Sequence, residues 1–171
     1  MSDLYIHCTA KLAKAMKVKL SPAPDAEKVD PLNCWYANVL KIGLPLDIVL
    51  YTHATTYYSL VHPFDHRDPA CYTLDVFAQR FNEKLSRPIE IAYEYKFCKT
   101  ASRKVLGCMN ELAFGLEMRA RDMWARGEGI ELEELEGWLN RGLIAGVHPI
   151  DEFEKLVQSS NNKAPYLRVV Q

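Results

Sequence analysis

The chain has 171 residues, 49% of them hydrophobic and 25% charged, with a formal net charge of −1. That is enough chain for one domain with a full core, and near-neutrality excludes a protein that coats nucleic acid or membrane by bulk charge. No apolar run approaches the roughly 18 residues of a membrane span, and the opening Met1-Ser2-Asp3-Leu4-Tyr5-Ile6-His7 lacks the basic start and apolar stretch of a secretory signal.

In chain order, residues 4–9 alternate as a first strand, and residues 10–17 form a short helix burying Leu12, Ala13 and Met16. The polar, proline-bearing stretch 21–28 is an exposed loop. Runs rich in Tyr, Thr, Val and Ile then predict strands over 34–42, 46–52 and 56–62, turning at Gly43-Leu44-Pro45 and at His53-Ala54-Thr55. A helix from Thr73, its expected N-cap, to Leu85 places Leu74, Phe77, Ala78, Phe81 and Leu85 on one face, and Pro88 stops it.

The cleanest strand follows: Ile89, Ile91, Tyr93, Tyr95 and Phe97 alternate with Glu90, Ala92, Glu94, Lys96 and Cys98. Odd positions should be buried, with Glu90, Glu94 and Lys96 in water. Thr100 or Ser102 caps a long helix whose stripe is Val105, Met109, Leu112, Leu116 and Met123, ending near Gly127 or Gly129. An acidic run at Glu131, Glu133, Glu134 and Glu136 precedes a last helix opened by Pro149 and running to about Val157; residues 166–170 suggest an edge strand.

The expectation is an α+β domain over residues 1–171: an antiparallel sheet of about five strands with helices packed on one face. Its core lies in 4–126, with an extension over 127–171. The five cysteines (Cys8, Cys34, Cys71, Cys98 and Cys108) have no C-x-x-C spacing and read as reduced and structural, in keeping with a cytoplasmic protein.

Four pieces carry a family resemblance: Cys8-Thr9-Ala10-Lys11-Leu12, Trp35-Tyr36-Ala37-Asn38-Val39-Leu40, Thr56-Tyr57-Tyr58-Ser59-Leu60-Val61, and Lys99-Thr100 through Arg103 followed by Val105-Leu106-Gly107-Cys108-Met109-Asn110-Glu111. In this order they are similar to an uncharacterised family of small bacterial and phage proteins, classed only as a domain of unknown function. The match spans roughly residues 4–118. Ser102 stands where the pattern has Asn or Asp, and Lys104 where it has Ser, which adds a cation. The resemblance implies the order of elements but no chemistry; an accessory role in a bacterial or phage defence module is compatible with it.

The strand-to-helix junction is the leading candidate site. Lys99, Thr100, Ser102, Arg103 and Lys104 combine hydroxyls, cations and the free N–H groups of a helix start, which suit a phosphate. The plain alternative is a capped helix with solvated cations, or cations paired with Glu94 or the acidic run. Asn38 in a strand and Asn110 within a helix either satisfy buried backbone groups or line a pocket.

Two His-x-Thr tripeptides, His7-Cys8-Thr9 and His53-Ala54-Thr55, resemble the paired motif of 2H phosphoesterases, in which two histidines act on one phosphodiester. Their places in a strand and at a turn count against convergence. His62, Asp65, His66, Asp68 and Cys71 have metal-capable side chains, but Pro63 opposes the helix that a His-x-x-x-His pair needs, so a solvated turn is expected. No cofactor or metal is called for. The leading reading is a binding protein for a phosphate-bearing ligand or a partner protein, and the alternative is a small phosphodiesterase or nuclease using His7 and His53.

Overall fold

A computed structural model of the chain describes residues 2–42, 47–85 and 93–163. The elements are β1 (Ser2–Cys8), α1 (Ala10–Met16), β2 (Cys34–Lys41), β3 (Asp47–His53), β4 (Ser59–Pro63), α2 (Cys71–Lys84), β5 (Tyr93–Lys99), α3 (Arg103–Ala125), α4 (Leu132–Arg141) and α5 (Pro149–Lys163). Single 3₁₀ turns at Ala26–Lys28 and Pro31–Asn33 lie between α1 and β2. The turn at Gly43-Leu44-Pro45, residues 89–92 of the alternating run and the 166–170 tail lie outside the described residues.

The five strands form one sheet in the order β4-β3-β2-β1-β5. The β2-β3-β4 meander is antiparallel, as its short connections require. The sheet as a whole is mixed rather than antiparallel, because β1 runs parallel to both β2 and β5. Parallel neighbours need a crossover of a dozen or more residues. α1 and the 17–33 segment supply one, and α2 carries the chain from β4 to the far side of β1.

Helices cover both faces of the sheet, correcting the one-face expectation. On one face Leu4, Ile6, Trp35, Ala37, Val39, Val49, Tyr51 and Leu60 pack with Leu12 and Met16 of α1, Phe77 and Phe81 of α2 and Phe153 of α5. On the other, Tyr36, Ile48, Leu50 and Val61 meet Met109, Leu112, Leu116 and Met123 of α3 and Leu135 and Leu139 of α4. β3 is therefore buried at consecutive positions, a pattern that a strand between two helical layers must show. Trp35 is fully buried at the first core's centre, with Phe77, Phe81 and Phe153 edge-on around its ring.

β5 is an edge strand, so its burial is partial. Tyr93, Tyr95 and Phe97 are half-buried against the first core, Glu94 is exposed, Lys96 is half-buried and Cys98 is buried on the opposite face. Ser102 caps α3, accepting from the Val105 amide at 3.3 Å. α3 ends in a Schellman turn: Glu128 N–H reaches the Met123 carbonyl, with Gly127 at φ 72°. α2 begins two residues before its expected cap. Thr73 instead lies fully buried inside the helix, and Ala70 occupies the cap position. α5 runs past Val157 to Lys163.

β4 is the other edge, and its outward backbone groups are bonded by side chains. Asn140 of α4 accepts from the Ser59 amide at 2.7 Å and donates to the Ser59 carbonyl at 2.8 Å. One turn earlier, Glu136 accepts from the Val61 amide at 2.8 Å, while Arg80 of α2 donates to the Val61 carbonyl. Arg80 and Glu136 also form an ion pair at 2.6 Å, with side chains 20% and 6% exposed.

Removing one partner of such a pair strands the other without compensation. Glu136→Ala should lower the unfolding free energy by about 3–5 kcal/mol. Asn140→Ala should lower it by about 1–3 kcal/mol. In urea titrations the apolar double replacement Arg80→Met/Glu136→Leu should cost less than the sum of the single changes. A Glu136→Ala protein as stable as the parent would contradict the pairing.

Candidate functional site

α3 starts where β5 ends, and its first turn walls a cavity of about 370 Å³. The lining is mostly apolar (Ala23, Pro24, Val29, Pro31, Ala54, Ala101 and Val105), with His7, Cys34, Tyr36, Thr55 and Ser102 as its polar groups. An apolar chamber with a few placed polar atoms is the usual form of a small-molecule site.

The polar groups are held by one another. The His7 ring stacks on Tyr36, with centroids 4.6 Å apart, and the Tyr36 hydroxyl accepts from the Ser102 amide at 3.0 Å. His7 Nδ1 lies 2.9 Å from the Lys99 carbonyl and so must carry its proton; Nε2 is then the acceptor for the Cys34 thiol at 3.3 Å. Burial pushes the His7 imidazole below its ordinary value and the Cys34 thiol up to about 11. The pair therefore rests as neutral thiol and neutral imidazole, unlike the thiolate of an activated cysteine nucleophile.

Ser102 Oγ takes the Val105 amide and the Ser102 carbonyl takes the Leu106 amide. The Arg103 and Lys104 amides precede that first intrahelical bond and face outward. The Arg103, Lys104 and Lys99 side chains are exposed and Thr100 is half-buried. Lys104 Nζ stands 6.0 Å from the centre of the Tyr57 ring, a residue held at φ 59°. Glu94 pairs with Lys96, and Glu134 of the acidic run with Arg119.

Of the residues singled out at the junction, Ser102 lines the cavity and Arg103 and Lys104 follow it on the first turn. Asn38 and Asn110 belong elsewhere. They meet in a second cavity of about 310 Å³, lined also by Lys11, Leu40, Lys41, Ile42, Ala113, Phe114 and Glu117.

His7 and His53 lie on opposite faces of the sheet. His7 stacks on Tyr36, whereas His53 sits edge-on to Trp35 and Phe153 in the first core. His53 is fully buried, donates from Nε2 to the Pro31 carbonyl at 2.8 Å and accepts at Nδ1 from the Thr56 hydroxyl at 2.9 Å. The two imidazoles do not converge on one phosphate. In the 62–71 segment His66 pairs with Asp47, Arg67 pairs with Asp65, and Cys71 opens α2. No cluster of metal-capable side chains occurs among the described residues.

Sequence reasoning missed Cys34 and His7 as neighbours in one cavity floor. The signal is the parallel pairing of β1 with β2, which sets Tyr5 opposite Cys34 and His7 opposite Tyr36. Reading those strands as antiparallel puts other residues together.

The architecture defines an α+β protein whose mixed sheet lies between two helical layers, with a cavity at the start of its longest helix. The chain belongs to the family described as domain of unknown function DUF6933, whose model matches residues 5–152. No curated protein and no solved structure matches it. No helix among the described residues is long and apolar enough to cross a membrane.

Burial pushes both His53 and His62 down to about 4. Unfolded histidine takes up its proton near pH 6.5, so between there and pH 4 the unfolded chain binds more protons than the folded one. Stability present above pH 6.5 should therefore fall as pH drops toward 4, by up to about 3 kcal/mol per histidine. Denaturant unfolding at pH 7.5 and 4.5, with imidazole proton shifts followed by NMR, checks this. Ring shifts of His53 and His62 that titrate near 6.5 would contradict it.

Proposed function

We propose that this is a non-catalytic binding protein for a small phosphate-bearing ligand, seated in the cavity at the start of α3. The observation that carries this reading is the 370 Å³ cavity, walled by the first turn of α3 and floored by neutral polar groups. The Arg103 and Lys104 amides and side chains suit the phosphate: helix N-termini favour anions, and charge-assisted bonds are the strong ones. The walls of Pro24, Val29, Pro31 and Val105 suit an apolar or aromatic body. Cations at a helix start oppose the helix dipole, so a bound anion would relieve an arrangement that is unfavourable without one.

Two observations support binding over catalysis. The Cys34–His7 pair rests uncharged, and the candidate acid–base histidines lie across the sheet from each other.

Phenyl phosphate and inorganic phosphate are suitable probes for calorimetric titration against the parent and Arg103→Ala/Lys104→Ala. Phenyl phosphate should bind more tightly than phosphate alone. The double variant should bind it at least roughly tenfold more weakly, the scale of a single charge-assisted hydrogen bond. Equal affinity in parent and variant, or no binding by either, would overturn the proposal.

A further inference from the structure

The second cavity has a different chemistry, and three elements build it: Lys11 from α1, Asn38, Leu40 and Lys41 from β2, and Asn110, Ala113, Phe114 and Glu117 from α3. The α3 residues fall on adjoining helical positions, so an amide, an aromatic ring and a carboxylate follow one another along one side of the helix.

The Asn38 amide has a fixed orientation. Thr9 caps α1 by accepting from the Leu12 amide at 3.3 Å, so its hydroxyl proton is free to point at Asn38 Oδ1, 2.7 Å away. Asn38 Oδ1 is thereby the acceptor, and its NH2 group remains as a donor with no partner among the described residues. Asn110 is exposed in mid-helix, where Asn is a poor helix former, and adds a donor and an acceptor. Phe114, one turn on, is 66% exposed, which leaves a face of its ring open for stacking. Lys11 and Lys41, which also line the cavity, are exposed.

We propose that this cavity is a mononucleotide site, distinct from the one at the start of α3, in which a nucleobase stacks on Phe114, its edge is read by the Asn38 and Asn110 amides, and its phosphate is held by Lys11 and Lys41. Asparagine amides match the paired donor and acceptor of an adenine edge, and aromatic side chains give bases a stacking platform. Two lysines against one glutamate leave a net positive charge for the phosphate. Leu40, Ile42 and Ala113 form an apolar floor under the base.

The probe is adenosine 5′-monophosphate, titrated by calorimetry and by amide-shift NMR, with ribose 5-phosphate as the baseless control. Phe114→Ala and Asn110→Ala alter exposed side chains, so both proteins should fold as the parent does. Each should weaken AMP binding roughly tenfold, on the scale of one lost stack or one lost base contact. Lys11→Ala/Lys41→Ala should weaken AMP and ribose 5-phosphate alike. The amide shifts that AMP induces should centre on Asn38, Asn110 and Phe114 rather than on the first turn of α3, which separates this site from the first. Binding of ribose 5-phosphate as tight as AMP, full binding by Phe114→Ala, AMP-induced shifts confined to the first turn of α3, or no binding by the parent would each overturn the proposal.

Discussion

The closure of the β4 edge by α4 is the interaction on which the second helical layer depends. An open edge exposes a row of N–H and C=O groups that invites pairing with another chain. Asn140 and Glu136, four residues apart and so on one face of α4, satisfy the amides of Ser59 and Val61, and Arg80 reaches the Val61 carbonyl from α2 on the other side. Helices from both layers thus clasp the same strand. α4 is then fixed close beside α3: a Cβ on Gly115 would lie 3.0 Å from the Trp138 ring, tighter than ordinary van der Waals contact, so a side chain there would press the ring aside. Through that contact the clamp holds α3 across the sheet, and the position of α3 shapes both cavities.

Around the start of α3 the charges and the buried polar groups are sorted. In the floor the Cys34 thiol bonds His7, whose ring stacks on Tyr36, and the Tyr36 hydroxyl accepts from the Ser102 amide, while Lys99, Arg103 and Lys104 remain at the solvent surface. Burying a charge without a partner is far costlier than burying a bonded neutral group. This sorting leaves the cavity floor uncharged and the neighbouring cations in water. The second cavity follows the same logic, with Asn38 oriented by the α1 cap and its lysines exposed.

Much of this was legible in the chain. Strand alternation and turn residues located β2, β3 and β4, and the cap at Ser102 and the stripe from Val105 to Met123 located α3 closely. What failed was pairing direction. Alternation reports which side chains share a face, but whether two strands run parallel depends on the crossover, and the 17–33 segment carries too little periodicity to be read as one. That single error hid the contact of His7 with Cys34 and Tyr36, and with it the cavity floor. Thr73 looked like a cap because hydroxyls favour helix starts, yet burial of the α2 face took it into the helix interior. Asn38 and Asn110 stand out in the chain as polar residues within a strand and a helix. Only the fold shows that α1 and α3 bring them to one cavity.

Hydrogen exchange at the Ser59 and Val61 amides tests the clamp most directly, because these donors point away from the sheet toward α4. If Asn140 and Glu136 hold them, both amides exchange as slowly as the central amides of β3, and Asn140→Ala speeds Ser59 selectively. Fast exchange of both in the parent, at the rate of an open strand edge, would contradict the account.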